Sequence, residues 1–269
     1  MDELLARLVE KVENRYYGKY AALVVDNADP EDRGRLRLRV PSVLGDEVTS
    51  GWAEPCAPYG GSADLGFFFI PEVDAGVWVE FAEGNLDYPV WVGTYWAKSG
   101  GESEVPKPNA VDGAEEGSVQ NPPTRKIIKT LKGHTIQLED ADGDEMLMLL
   151  EATNGNVVVL NKDGIKITDA KQNIVTMDDN GIKVEDKNGN VVTMEAAGVT
   201  IKSTAINIGD SATDPLVLGQ KLSLALTNWY TAFAAHTHVG NLGAPTSPPT
   251  PPVAPIDISS ALSPTNKVK

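Results

Sequence analysis

The chain has 269 residues, with 23 lysines and arginines against 38 aspartates and glutamates, so its formal net charge is −15. This balance argues against nucleic acid as a partner, because affinity for phosphate backbones depends on clustered lysine and arginine. With 25 glycines, 18 prolines and only 6% aromatic residues, the composition favours turns and β-structure over a helical bundle.

The N-terminal segment, residues 1–14, is predicted to form a short amphipathic helix. Its apolar residues recur at helical spacing between Leu4 and Val12, and the resulting stripe would either dock on the same chain or bind a partner. The segment has no basic region and no cleavage site, and no stretch reaches the roughly 18 apolar residues of a membrane span. We therefore expect no signal peptide and assembly in the cytoplasm.

Residues 15–98 are predicted to form a small β-domain. Residues 21–25 and 35–40 have the composition and alternation of strands, and a turn at residues 27–30 separates them. Cys56, the single cysteine, excludes an intrachain disulfide, and we expect it to be a buried structural thiol in an apolar strand. Five short strands separated by glycine-containing turns are typical of a closed barrel such as an OB-fold. The remaining strands are predicted at residues 66–71, 77–81 and 88–93.

Beyond a predicted linker, residues 99–124, the chain repeats itself with a period of 17 residues. Gly164, Gly181 and Gly198 occupy the same place in three successive units, and each separates two apolar runs at a tight corner. The alternation puts one apolar set on a single face, which a lone unit cannot bury but stacked units can, as in a β-solenoid. The predicted core residues are Val158, Leu160, Ile165, Ile167, Val175, Met177, Ile182, Val184, Val192, Met194, Val199 and Ile201.

Either a single-chain solenoid or several chains could bury that apolar face. A single-chain coil usually needs three walls, whereas each unit here offers two short strands with two inward residues apiece. Three chains wound about one axis would close a prism. We therefore expect residues 125–213 to form an intertwined homotrimer.

Two regions together resemble the phage baseplate assembly protein V family, the spike of contractile injection machines, which is related to the spike part of type VI secretion (VgrG) proteins. The similarity rests on residues 51–58 (Gly-Trp-Ala-Glu-Pro-Cys-Ala-Pro), 66–73 and 77–81 in the barrel, and on Lys-Gly-His-Thr-Ile at residues 132–136. It implies a mainly β protein in which an N-terminal OB-fold barrel precedes an intertwined trimeric β-helix, with short helices at the N-terminus and near the C-terminus. The family's lysozyme insertion has no room in residues 99–124, and the hub domain of type VI spikes is missing, so we expect a stand-alone spike.

The resemblance implies a mechanical function without enzymatic activity. The trimer would cap the tube, dock on the baseplate hub protein and puncture the target cell envelope, within a phage tail or an extracellular injection particle. A separate tip protein of the PAAR type is a further implied partner. The alternatives are a metal-dependent enzyme acting on cell-envelope polymers and a trimeric receptor-binding adhesin. Catalysis lacks sequence support, since there is no Gly-x-Ser-x-Gly motif and no phosphate-binding glycine loop.

The C-terminal part holds a candidate metal site. Residues 214–238 are predicted to form a helix that ends in His236 and His238, and residues 239–269 a proline-rich extended tail. One chain supplies too few ligands, but three chains supply six imidazoles, enough for an axial octahedral iron or another transition metal ion. The family's spikes often carry such a pair at the apex. The alternative is a pair of surface histidines that favour a helix C-terminus, and His134 is predicted to be structural.

Overall fold

The computed structural model describes residues 9, 12, 15–118, 120–235, 238–239, 241, 243, 245–246 and 259–268. The chain divides into two compact units, Met1–Pro106 and Lys107–Lys269. Within the described ranges, no helix has the length and apolar character needed to cross a membrane. The predicted N-terminal helix lies outside the described residues except for Val9 and Val12, which are both helical.

The first unit contains a closed five-stranded barrel in the order β1-β2-β3-β5-β4, which confirms the predicted barrel. Its strands alternate between core and solvent because successive side chains point to opposite faces. In β2, Leu36 and Leu38 are fully buried, whereas Arg37 between them is exposed. The strands are β1 (Tyr20–Asp26), β2 (Leu36–Arg39), β3 (Thr49–Pro55), β4 (Gly76–Phe81) and β5 (Pro89–Thr94); helix α1 (Pro41–Leu44) and the 3-10 turns Ala82–Gly84 and Ser99–Gly101 complete the elements.

Cys56 is exposed, so the prediction of a buried thiol is wrong. The barrel strand β3 ends at Pro55, and the Cys56 N–H donates to the Trp91 carbonyl oxygen at 2.9 Å. The alternation of β3 places Cys56 on the side of Glu54, opposite the fully buried Ala53. The apolar residues around Cys56 favoured a buried thiol, but the alternation of the strand turns the Cys56 side chain toward solvent.

The second unit is built on a nine-stranded antiparallel sheet whose strands pair in sequence order. Every strand from the second to the eighth has both neighbours in its own chain, so its backbone ladder is complete without another molecule. Any intertwining of chains is thereby limited to the faces of the sheet and to its two outer strands. The strands are β6 (Arg125–Lys129), β7 (Thr135–Glu139), β8 (Met146–Glu151), β9 (Asn156–Asn161), β10 (Gly164–Thr168), β11 (Ile174–Asp178), β12 (Gly181–Glu185), β13 (Val191–Glu195) and β14 (Gly198–Lys202).

The three glycines of the repeat open β10, β12 and β14, each after a two-residue turn. Gly164, Gly181 and Gly198 have φ angles of 119°, 134° and 130°, which side chains rarely adopt. A Cβ atom on Gly164 would also overlap the carbonyl oxygen of Met177, and one on Gly181 that of Met194. Successive turns thus lie so close together that these positions leave no room for a side chain. This explains why glycine recurs at this place in the 17-residue unit.

The C-terminal part contains one described helix, α2 (Gly219–Ala235), which begins later than the predicted helix over residues 214–238. Residues 214–217 are extended because they pair antiparallel with a strand at the end of the chain, in the predicted proline-rich tail. The remaining elements are β15 (Asn207–Ile208), β16 (Asp214–Val217), β17 (His238–Val239), β18 (Pro245–Thr246), the 3-10 turn Ser259–Ala261 and β19 (Leu262–Val268).

Candidate trimer interface

One face of the nine-stranded sheet carries all the predicted core residues. Ile165 lies opposite Leu160 on one side and Met177 on the other. Met177 in turn lies opposite Ile182. Because directly opposed side chains share a face of the sheet, these residues line up in rows that cross the strands. One row contains Leu160, Ile165, Met177, Ile182, Met194 and Val199, and the other contains Val158, Ile167, Val175, Val184, Val192 and Ile201.

Both rows begin earlier in the chain than the repeat indicates. On β8, Leu147 and Leu149 lie opposite Leu160 and Val158 and continue the rows. The register extends them further, so that the second row crosses all nine strands. This extension could not be predicted from the sequence, because Met146–Leu150 is uniformly apolar. Without alternation, periodicity does not show which of these residues share a face of the strand. The added residues are Ile128, Ile136, Leu138, Leu147 and Leu149, and the whole set is called the apolar rows.

The apolar rows are largely open to solvent in the single chain. Ile136, Leu149 and Ile201 are 45%, 51% and 51% exposed, and nothing in the described part of the chain shields them. A contiguous apolar face of this extent is costly to hydrate. Such surfaces mark sites of association rather than the outside of a monomer.

The opposite face of the first four strands is covered by the chain itself. Residues 107–118 and 120–124, called the strap, lie within the predicted linker. The Asn109 N–H donates to Gln137 Oε1 at 2.9 Å, and Gln137 Nε2 donates back to the Asn109 carbonyl oxygen at 2.9 Å. Gln137 is fully buried, as are Met148 and Pro108. The strap therefore closes a small apolar core, whose other members are Met146, Leu150, Val157 and Val159.

Ion pairs secure the strap to the sheet. Arg125 contacts Glu116 of the strap at 2.7 Å and Glu139 of β7 at 2.5 Å. Burial alone would raise the pKa of Glu139, but hydrogen bonds from Thr124, Arg125 and the Ala141 N–H outweigh it and lower the pKa to about 2. The strap thus depends on a carboxylate that stays ionised at neutral pH.

Three asparagines at the 17-residue period link successive units at their second turn. Asn173 Nδ2 donates to Asp169 at 2.6 Å, while Asn173 Oδ1 accepts the Lys187 N–H of the next unit at 3.2 Å. Asn156 Oδ1 accepts the Ala170 N–H in the same way, whereas Asn190 Oδ1 accepts the hydroxyl of Ser203. Sequence reasoning missed this asparagine ladder, although its spacing matches that of the glycines. Each amide satisfies a turn that would otherwise depend on water.

Solvent-facing residues complete the sheet beyond the strap. Along each of the strands β10 to β14, a lysine or threonine stands between two residues of the apolar rows. It therefore lies on the opposite, outer face of the sheet, as the periodicity predicts. Representative outer residues are Lys166, Thr176, Lys183, Thr193 and Thr200. The two faces of this half therefore differ sharply in polarity, and the apolar one is the face without a partner in the described chain.

The two predicted metal ligands lie in a part of the chain that the structure describes only in places. His236 lies outside the described residues, and His238 opens strand β17, where it pairs with Thr246 of β18. Within the described ranges no cluster of three or more histidine, cysteine, aspartate or glutamate side chains could hold a metal ion. His134 Nδ1 accepts the Ala152 N–H at 3.2 Å and so joins β7 to the residue after β8.

Comparison with protein families finds two matches. Residues 20–96 match the type VI secretion system/phage-baseplate injector OB domain, and residues 126–178 match the phage baseplate V C-terminal trimerisation domain. The chain thus carries regions that match an OB domain and a trimerisation domain of phage baseplate V proteins. The second match covers β6 to β11 and with them most of the apolar rows, which supports a homotrimer. No curated protein matches the chain.

The baseplate V matches bear on function in general terms. The first falls on the closed barrel and the second on the first six strands of the sheet, so each unit contains a region that matches a baseplate domain. Neither matched description names a catalytic activity. Together they indicate a structural role in the spike of a baseplate.

Proposed function

We propose that this protein is the central spike of the baseplate of a contractile injection machine, and that its sheet is one wall of a three-walled β-prism. The observation that carries the proposal is the exposed pair of apolar rows within a matched trimerisation domain. Three copies that turn these rows inward would remove them from water together. Each wall would keep its own backbone hydrogen bonds, so the prism needs side-chain packing alone to close.

The dimensions of the sheet suit a needle. Neighbouring strands lie about 4.8 Å apart, so nine strands extend roughly 40 Å along the direction of the apolar rows. Strands of about five residues give walls only about 16 Å wide. The rows therefore run along the axis of the proposed prism, and each strand crosses it. A narrow, fully hydrogen-bonded body of this kind resists bending when it is driven against an envelope.

Burial of the rows supplies the assembly energy. Removing a half-exposed isoleucine or leucine from water stabilises the complex by about 1 kcal/mol. Each chain carries two such residues on nearly every strand, so three walls gain far more than a typical interface requires. The polar outer face and the net charge of −15 per chain keep the needle soluble.

The two ends of the sheet have different roles in this proposal. The chain enters the sheet at β6 after the barrel and leaves it at β14 toward α2 and β19. The barrels dock on the hub protein and the tail tube, and the C-terminal segments form the end that meets a tip protein or the target envelope. Contraction of the sheath then drives the needle through that envelope.

The proposed location can be tested on assembled particles. An epitope tag after Lys269 would be labelled with gold-conjugated antibody on injection particles purified from producing cells, and imaged by electron microscopy. Label should lie on the particle axis at the baseplate end. Label on tail fibres, or particles that assemble and kill normally without the protein, would overturn the proposal.

We also propose that three chains bind one axial transition-metal ion through His236 and His238. Imidazole nitrogens are ligands that iron, nickel, copper and zinc accept, and three pairs satisfy an octahedral ion. Metal analysis of the purified trimer should give one ion per three chains, and none for the His236→Ala/His238→Ala variant. His134→Ala serves as the control, because His134 bonds to a backbone N–H and should not affect metal content. A wild-type content well below one ion per trimer would contradict this proposal.

A further inference from the structure

The long connection between β3 and β4 carries an exposed aromatic surface. Tyr59, Phe67, Phe68 and Phe69 are 57%, 59%, 75% and 61% exposed. The rings of Tyr59, Phe67 and Phe69 lie side by side, with centroid distances of 5.8 Å for Tyr59–Phe67 and 6.3 Å for Phe67–Phe69, while the Phe68 ring lies beside Gly34. Residues 56–71, called the aromatic loop, contain one charged residue, Asp64, in a chain that is 23% charged. This composition is unusual for a surface loop that stays in water.

The aromatic loop is a shaped hairpin rather than a collapsed segment. The Phe67 N–H donates to the Tyr59 carbonyl oxygen at 3.1 Å, and the Leu65 N–H donates to that of Ser62 at 3.3 Å. Its two arms approach closely at Gly66, where a Cβ atom would lie 3.0 Å from the Tyr59 carbonyl oxygen. The backbone thus holds the aromatic side chains outward, and ordering them on a partner costs little conformational entropy.

A second exposed aromatic surface lies on the outside of β4 and after β5. Trp78 and Tyr95 are in contact, with ring centroids 5.1 Å apart, and Trp96 follows with 62% of its surface exposed. Gly76 allows the Tyr95 ring to lie on β4, because a Cβ atom there would come within 2.7 Å of Tyr95 Cζ. We call Trp78, Tyr95 and Trp96 the tryptophan patch. Among the described residues, no ring contact joins this patch to the aromatic loop.

Two different apolar surfaces on one barrel are what a cyclic trimer uses. Contacts around a threefold axis are heterologous, so one surface of each subunit meets a second, distinct surface of the next. We propose that the aromatic loop of one protomer packs on the tryptophan patch of the next, so that three barrels close into a ring. This inference rests on the trimer of the proposed function and adds a contact that the trimerisation domain does not include.

The size of the aromatic loop agrees with this assignment. A fully accessible phenylalanine or tyrosine side chain offers about 200 Å², so the three adjacent rings present roughly 350 Å². That is within the range of the largest apolar patches on monomers and nearly half of the roughly 800 Å² that each partner buries in a standard interface. The chain after β5 tethers each barrel to a trimeric second unit, which raises the local barrel concentration to about millimolar. A contact of this size then suffices to close the ring.

Site-directed cross-linking tests the contact directly. In a Cys56→Ser background, Phe67→Cys and Trp96→Cys would be combined in the full-length chain and treated with a short bis-maleimide at low protein concentration. We expect covalent trimers on a denaturing gel. The control pair, Phe67→Cys with Val48→Cys, has its second thiol at an exposed position of the barrel outside both aromatic surfaces and should give no covalent trimer. Phe69→Cys with Trp78→Cys provides a second pair if the first does not fold.

The outcome separates this inference from the proposed function. Light scattering on the same samples reports whether the trimer is intact. An intact trimer without cross-links, or with equal cross-linking of the control pair, overturns the barrel contact and leaves the spike proposal standing. A chain that is monomeric before cross-linking contradicts the proposed function itself.

Discussion

Gly164 lies directly against the carbonyl group of Met177, so that a Cβ atom at this glycine would sit 3.0 Å from the Met177 carbonyl carbon and overlap its oxygen. The same relationship joins Gly181 to Met194 one unit later. At Gly198, where the sheet ends, no atom lies within 4 Å of the corresponding position. The repeat therefore contains two glycines that are required by contact and one that is required by its φ angle alone.

This difference predicts unequal effects of alanine. Gly198→Ala should cost about 1–3 kcal/mol per chain, because alanine must adopt an unfavourable positive φ. Gly164→Ala and Gly181→Ala carry the same strain and must also push the neighbouring turn away, so they should lower the thermal midpoint considerably further. Thermal unfolding followed by circular dichroism measures the difference. Equal midpoints for the three variants would contradict the close stacking of turns.

If the apolar rows face the interior of the trimer, a negative charge introduced on the inner face of a strand should prevent trimer formation. The same charge on the outer face should not. Ile182→Asp should abolish the trimer, because it places three unpaired carboxylates in the closed interior. Lys183→Asp changes the next residue of β12, on the outer face, and should leave the trimer intact. Light scattering at micromolar concentration distinguishes monomer from trimer. A stable Ile182→Asp trimer would refute the inward orientation of the rows.

The reciprocal bonds between Gln137 and Asn109 predict that the strap depends on one buried amide. Gln137→Leu would leave the Asn109 N–H and carbonyl without their partners and should destabilise the second unit by about 1–3 kcal/mol. Gln220→Leu, at an exposed position in α2, is the matched control and should have little effect. Denaturant unfolding gives the change in midpoint for both. A neutral Gln137→Leu variant would mean that the strap contributes little to stability.

The asparagine ladder predicts a loss of stability in acid. Hydrogen bonds from Asn190 and from backbone N–H groups lower the pKa of Asp186 from 3.8 to about 2. A depressed folded-state pKa stabilises the folded state above pH 3.8, and this contribution disappears as the pH falls from there toward 2. Asp186→Asn should therefore flatten the decline in unfolding midpoint over that window.

The control for this titration is Asp163→Asn. Asp163 is a turn residue whose carboxylate accepts no hydrogen bond among the described residues, so its replacement should leave the acid profile unchanged. Unfolding midpoints in urea, measured at pH 2 to 5, compare the variants. An Asp186→Asn profile that follows the wild type throughout would show that the ladder carboxylate does not contribute to the acid response.

Much of the second unit could be predicted because its structure is local. The 17-residue period fixes which strands are neighbours, and alternation within each strand fixes which residues share a face. Spacing alone therefore assigns the predicted core residues between Val158 and Ile201 to one face, and in the register of β9 to β14 these residues lie opposite one another. The asparagine ladder carries the same period, but asparagine is common in turns for several reasons, so its spacing alone does not predict a link between units.

The barrel, the repeat and its two faces can thus be predicted from the residues alone, since short-range periodicity encodes each of them. The burial of Gln137 beneath the strap and the extended conformation of β16 could not be predicted in this way. Both features depend on contacts between segments distant in the chain: Asn109 with Gln137, and residues 214–217 with β19. No local pattern encodes such a contact, because the residues that decide it lie on the partner segment.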